Sequence, residues 1–276
     1  MAERTRTAGW VPNQHGAWAM LVVPFAAGVI LCWRAGTLGL YLIPMFATWL
    51  LGYFAFHAAS GLLKSAPARR RRWVPALALY GTGTLIAGLA TVWLTSGTAG
   101  TVPGVPAGQG TVLWWLAVFG VPLGAALWLA SRRQERHLAG GLLPTGLAAA
   151  MLLVARFPDP LAMLADPALP AAALLAAMTF GYFGGTVLHV KAMIRERGRL
   201  AWRNASIGWH AAWTVATAGL VIGGLLTRAW PAFFLITTIR AWLLPVIAGR
   251  RVVRPLAIGL VELALSAALL VLTAVA

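Results

Sequence analysis

Residues 256–275 read LAIGLVELALSAALLVLTAV, twenty consecutive positions in which Glu262 is the only charge. A helix of that length rises about 30 Å, the thickness of a bilayer's hydrocarbon core. Eight more runs of the same kind precede it, at 17–33, 38–57, 76–94, 112–130, 138–155, 170–190, 206–226 and 230–248. None alternates apolar and polar residues with a period of two, so a closed barrel is not indicated and helix is the backbone's only way across lipid. The fold class expected is all-α, a polytopic transmembrane bundle of nine spans in one integral membrane domain. Spans 1–4 fall in 1–130, spans 5–8 in 131–250 and span 9 in 251–276.

Composition agrees. Of 276 residues 60% are hydrophobic and 10% charged, whereas soluble domains carry about 25% charged residues. A soluble fold cannot bury so much apolar surface. The 22 Lys and Arg outnumber 6 acids, giving a formal charge of +16, which in a soluble chain would suggest nucleic acid. Here the basic residues instead mark topology, because Lys and Arg are retained in cytoplasmic loops. Apart from Arg34, Arg156, Arg228 and the intramembrane Arg240, all of them fall on one set of alternate connectors. The N-terminus is therefore expected in the cytoplasm and the C-terminus outside, in the inner membrane of a bacterium, with the first run kept as a span although Arg4 and Arg6 precede it like the start of a signal peptide. The connectors on the opposite side, around 96–110 and 157–170, are rich in Gly and Pro and read as irregular caps with Asp159 and Asp166. A lone Cys32 excludes an intrachain disulfide or a Cys-based metal site.

A segment recurs. Gly52-Tyr53-Phe54, Arg70 and Trp73 match Gly181-Tyr182-Phe183, Arg199 and Trp202 at a constant offset of 129 residues. Four spans lie within that offset, so the two copies keep the same orientation, as parallel repeats do. Each joins an apolar helix to a basic loop.

A four-helix repeat with loops after spans 2 and 6, in a chain of nine spans, is similar in layout to the UbiA superfamily of intramembrane prenyltransferases. That resemblance would imply Asp-rich motifs in both loops to hold Mg²⁺ against a diphosphate. Between His57 and Trp73 there is no acid, and between His189 and Trp202 only Glu196, so Mg²⁺-dependent prenyl transfer is not supported. Two further motifs, Asn13-Gln14-His15-Gly16-Ala17-Trp18-Ala19-Met20 before span 1 and Val190-Lys191-Ala192-Met193-Ile194-Arg195-Glu196-Arg197 after span 6, resemble those of the YwiC-like family of bacterial membrane proteins. This resemblance extends over most of the chain and implies a membrane protein without assigning it a reaction.

The five histidines, His15, His57, His137, His189 and His210, all map to the basic ends of spans. Interfacial anchoring explains any one of them. Taken together, His15, His57 and His189 suggest a shared cavity opening to the cytoplasm, with Trp18 able to anchor at the interface or stack on a ligand. Lys64, Arg70, Lys191, Arg195 and Arg197 would meet an anionic head such as phosphate by charge-assisted hydrogen bonds. Haem and zinc fit less well: the histidines sit near helix ends, and carboxylate support is nearly absent. No metal site is expected. Lys191, Arg195 and Arg199 recur every fourth residue and would line one stripe of a helix continuing from span 6, with Glu196 off that stripe and able to pair with Arg199 or Arg203.

Arg240 and Glu262 are the only charges inside spans. Each lies roughly 12 Å from the turn joining spans 8 and 9, and a lone charge there costs at least about 2.5 kcal/mol, so a structural ion pair is expected. The function expected is binding or processing of an amphipathic anion of isoprenoid or lipid phosphate type. The alternatives are transport of a small anion, for which Pro24, Pro44, Pro122, Pro144, Pro231 and Pro245 allow helix breaks, and assembly with a respiratory complex. The partners expected are the lipid bilayer and that ligand, with no nucleic acid. The sequence nominates no catalytic residue and no cofactor.

Overall fold

A computed structural model of the chain describes residues 10–12, 17–96, 111–133, 138–250 and 255–276. Within them, nine helices are long and apolar enough to cross a membrane. They are α1 (Ala17–Arg34), α2 (Leu42–Lys64), α3 (Val74–Thr95), α4 (Trp114–Ser131), α5 (Leu138–Arg156), α6 (Leu169–Val190), α7 (Leu200–Ile222), α8 (Ala229–Arg250) and α9 (Pro255–Val275). No strand occurs among the described residues. The protein is thus an all-helical multi-pass membrane protein.

Local chemistry sets the helix ends. Gly36, at φ +66°, and Gly224, at φ +73°, adopt the left-handed conformation after α1 and α7. Thr37 N–H reaches back to Cys32 O at 2.9 Å and Leu225 N–H to Leu220 O at 2.8 Å, which satisfies carbonyls the helices leave open. Asp159 caps a short helix, Pro160–Met163, by accepting from the backbone N–H groups of Leu161 and Ala162. After α2 the chain makes the short helix Pro67–Arg70 and folds back, so that the Trp73 indole covers Gly61 and donates to Ser65 Oγ at 2.8 Å.

Two boundaries differ from the sequence expectation by six residues or more. Helix α2 runs on through Gly61 to Lys64 and ends just before Pro67. Helix α7 starts at Leu200 rather than 206, because Trp202, Arg203 and Asn204 are helical despite their polarity. The expected stripe of Lys191, Arg195 and Arg199 does not form. Lys191–Arg195 is a single π-turn, and Glu196 N–H bonds Lys191 O at 2.8 Å. Gly198, at φ +86°, then reverses the chain into α7. Helices α1, α4, α5 and α8 pass unbroken through Pro24, Pro122, Pro144 and Pro245.

The core has two adjoining parts. One joins α1 and α5 to α6, α8 and α9 through residues such as Leu152, Met178, Phe183 and Phe234; the other joins them to α2 and α4 through Phe25, Met45, Phe119 and Met151. Helices α1 and α5 meet closely at Gly28, where a Cβ would lie 2.6 Å from Leu152 O. Beside that contact Cys32 Sγ and the Tyr41 hydroxyl both donate to Ala155 O, at 3.3 and 3.1 Å. Helix α6 is the most enclosed, with 67% of its spanning window buried, against 6% for α3, whose Leu79, Leu85, Ile86 and Leu89 face outward. Only lipid accepts such a face.

Candidate functional site

The nominated residues separate into two groups, each built at the basic end of one half. In the first, Trp18 of α1 meets Phe54 edge-on at 5.7 Å, and Phe54 continues to Tyr80 at 5.0 Å. His57 lies edge-on to Trp73 at 6.0 Å, about two turns inside the end of α2 rather than at it. Lys64 O accepts from Arg133 at 3.3 Å, and exposed Arg70 donates to Ser65 O at 3.2 Å. His15 and His137 lie outside the described residues.

In the second group, Lys191 Nζ sits 3.7 Å over the Trp202 ring, Arg195 is exposed, and Arg197 Nη2 donates to Ala248 O at 2.7 Å. Arg199 pairs with Glu196 at 2.9 Å. Between the ends of α6, α7 and α8 lies a cavity of about 140 Å³. Its charged lining is Arg197, Arg199 and Arg203, its walls include Met193, Leu200 and Pro245, and no carboxylate among the described residues lines it. Of the cations nominated from the sequence, Arg197 alone lines this space. Arg199 and Arg203 enter the sequence expectation as stripe and ion-pair residues, not as ligand contacts.

Deeper in the same half, four helices meet at a buried polar cluster. Arg240 Nη1 donates to Glu262 Oε1. Glu262 Oε2 accepts from Thr186 Oγ1 at 2.9 Å and from the Tyr182 hydroxyl at 3.1 Å, and Ser266 Oγ donates to the Glu262 carbonyl. Arg240 Nη2 donates to His210 Nε2 at 2.9 Å. The tautomer of His210 follows from its partners. Nδ1 faces the Ser206 carbonyl at 2.7 Å, which can only accept, so Nδ1 carries the proton and Nε2 offers its lone pair to arginine. A glycine makes room for this ring, since a Cβ at Gly185 would lie 2.5 Å from His210 Nε2. His210 thus sits ten residues into α7, about 15 Å from its start, and not at a span end.

Several buried polar atoms around this cluster have no partner: both ring nitrogens of His189, Ser206 Oγ, Arg203 Nε and Arg240 Nε. Helical spacing aligns them. His189 is one turn from Gly185 on α6, Ser206 one turn from His210 on α7, and Arg203 follows Ser206 toward the cavity it lines. Along the α6–α7 seam, Arg203, Ser206 and His210 thus succeed one another on α7 from the cavity to the Arg240 contact.

His189 therefore belongs with Arg240 and His210, whereas His57 belongs with Trp73. Helix α2 packs on α1, α3 and α4, and α6 on α1, α5, α7, α8 and α9. No group of three His, Cys, Asp or Glu among the described residues is arranged to hold a metal ion. The sequence nominated neither Tyr182 nor Thr186. Their signal is the small-residue run Gly181, Gly184, Gly185, which lets Trp209, His210 and Trp213 of α7 approach α6.

The family model described as YwiC-like protein matches residues 11–156, more than half of the chain. A segment of 65 residues, 23% of this chain, is 35% identical to the uncharacterized protein YwiC of Bacillus subtilis (strain 168) and covers 26% of it, about a quarter of that relative's length. No solved structure matches.

Proposed function

The chain belongs to the YwiC-like family of bacterial membrane proteins, and from that premise we propose that it binds the phosphate-bearing head of an amphipathic anion, of isoprenoid or lipid type, in the cavity between the ends of α6, α7 and α8. The observation that carries this reading is a lining of three arginines, of which only Arg199 is paired with a carboxylate among the described residues, at the basic end of spanning helices. Guanidinium groups present a planar fork of donors that matches phosphate oxygens. Met193, Leu200 and Pro245 supply apolar walls for the first carbons behind the head. In this reading the basic end faces the cytoplasm and the two halves are related by duplication. The latter draws support from Gly52 facing Thr84 while Gly181 faces Trp213, two contacts that superimpose at the repeat offset.

The test measures farnesyl diphosphate binding to purified protein in nanodiscs, with mass spectrometry of co-purifying lipids. Arg203→Gln should weaken binding at least about tenfold, the worth of one charge-assisted hydrogen bond. Arg69→Gln, on the loop of the other half, should leave it unchanged. Equal binding by wild type and Arg203→Gln refutes the assignment.

A further inference from the structure

One groove on the lipid-facing side of the bundle belongs to neither group of nominated residues. It runs over α5 between α4 and α6, has a volume of about 460 Å³ and is lined by apolar residues alone. Ala139, Leu142 and Gly146, at helical spacing on α5, make its floor, and Pro122 of α4 and Phe180 of α6 its walls. Gly146 keeps the floor low, since even a Cβ there would stand 3.8 Å from the Phe180 ring with nothing closer. The α3 face that meets lipid is by contrast bulky, with Leu79, Leu85, Ile86 and Leu89 outward.

The groove has one closed end and one charged end. Beyond its floor Leu147, Ala148, Ala149, Met151 and Leu152 are buried, so α5 is open to lipid only in its first half. Along α4 Pro122 lies about 15 Å from Arg132, and along α5 Leu147 lies about 12 Å from Ala139. That is the depth of one leaflet's hydrocarbon, half of a core about 30 Å thick. A helix from a second copy of the chain would cross both leaflets and finds only half a seat here. A single hydrocarbon chain entering from the basic end fills it.

The rim selects the head. Arg132 caps α4 on the same side as Pro122, Ala125 and Leu129, stands over the Trp128 ring at 5.7 Å, and is exposed. Arg133 is already engaged with Lys64 O at 3.3 Å. No acid pairs with either arginine among the described residues. The connector 132–137 holds three arginines and one glutamate, a net charge of +2 with His137 neutral.

We propose that the groove holds one hydrocarbon chain of an anionic phospholipid from the leaflet at the basic end, with the phosphate on Arg132. The hollow supplies packing contacts that a chain does not find on a convex helix face, and the guanidinium supplies a preference for a head of net negative charge. The arginine-lined cavity is a separate site, and the two share no lining residue.

The test uses the full chain in mild detergent, titrated with dioleoylphosphatidylglycerol or dioleoylphosphatidylcholine and weighed by native mass spectrometry. Wild type should hold one phosphatidylglycerol about fivefold more tightly than phosphatidylcholine, the share of one basic residue. Gly146→Leu, which fills the groove, should release both. Gly120→Leu, on an α4 face with nothing within 4 Å of the Cβ position, should bind as wild type. Arg132→Gln should equalise the two lipids, and Arg203→Gln should change neither. Equal affinity of wild type for both lipids overturns the proposal, as does phosphatidylglycerol binding by Gly146→Leu that matches Gly120→Leu. A lipid lost on Arg203→Gln belongs to the cavity, and a dimer that Gly146→Leu separates puts a second copy in the groove; either result also overturns it. Should Gly146→Leu not fold, the head preference of wild type against Arg132→Gln decides alone. Farnesyl diphosphate binding should be intact in Arg132→Gln, so the groove and the cavity stand or fall separately.

Discussion

Substituting Gly185 by alanine should break the link between His210 and Arg240 without touching either residue. The new methyl group would sit 2.5 Å from His210 Nε2, 2.8 Å from Cε1 and 2.9 Å from Trp209 Cδ1. The imidazole cannot yield easily, because its Nδ1 is tied to Ser206 O. Overpacking of this kind costs about 1–3 kcal/mol, and losing a hydrogen bond to a charged group a further 1.5–3 kcal/mol or so. The better helix propensity of alanine returns about 0.5–1 kcal/mol, leaving a net loss of about 1.5–5.5 kcal/mol. Gly208→Ala provides the control, since nothing lies within 4 Å of its Cβ position; it should be neutral or slightly stabilising. Thermal unfolding in mild detergent, followed by tryptophan fluorescence, reads both, and His210→Ala completes a cycle with Gly185→Ala. If the reasoning holds, Gly185→Ala is harmful alone and clearly less so in the His210→Ala background, where Trp209 Cδ1 at 2.9 Å is the close contact that remains. A Gly185→Ala protein as stable as wild type, or equally damaged with and without His210, would refute it.

Removing one partner of the Arg240–Glu262 pair should cost about 3–5 kcal/mol, and Arg240→Met combined with Glu262→Gln less than the sum of the two, measured by the same unfolding assay. Gly28→Ala should destabilise by about 1–3 kcal/mol, because its Cβ would meet backbone, Leu152 O at 2.6 Å, and backbone cannot swing aside; expression level and thermal midpoint should fall together. Tyr41→Phe removes the hydroxyl donated to Ala155 O and should cost only about 0.5–1.5 kcal/mol in midpoint stability, with no change in farnesyl diphosphate binding.

Hydropathy makes the nine spans legible, because lipid demands continuous apolar runs and each run is long enough to be read on its own. Helix ends are harder to read. Nothing in Ala58 to Leu63 says whether helix or loop follows His57, and Trp202 to Ala205 reads as loop although it is the first turn of α7. That six-residue error at the start of α7 is why His210 is misread as interfacial. Arg240 and Glu262 are legible because a lone charge in an apolar run is conspicuous and the two sit at similar distances from the same turn. Tyr182 and Thr186 carry no charge to mark them, and the pairing of α6 with α7 that brings His189 to Ser206 is a tertiary fact. The cavity itself depends on the reversal at Gly198, which a helical reading of the Lys191 stripe erases.

The seclusion of Cys32 has a practical consequence. The sole thiol of the chain is wholly enclosed, at 0% exposure, and engaged with a carbonyl, so maleimides and methanethiosulfonates will meet an essentially blank background. A single cysteine grafted beside Asp166, or onto the arginine-rich loop at Arg69, then becomes an address: a membrane-impermeant reagent added to intact cells will reach the first and spare the second if the basic end faces inward. The wild-type protein needs no prior removal of native sulfhydryls to become a scaffold for spin labels or fluorophores along the α6–α7 seam.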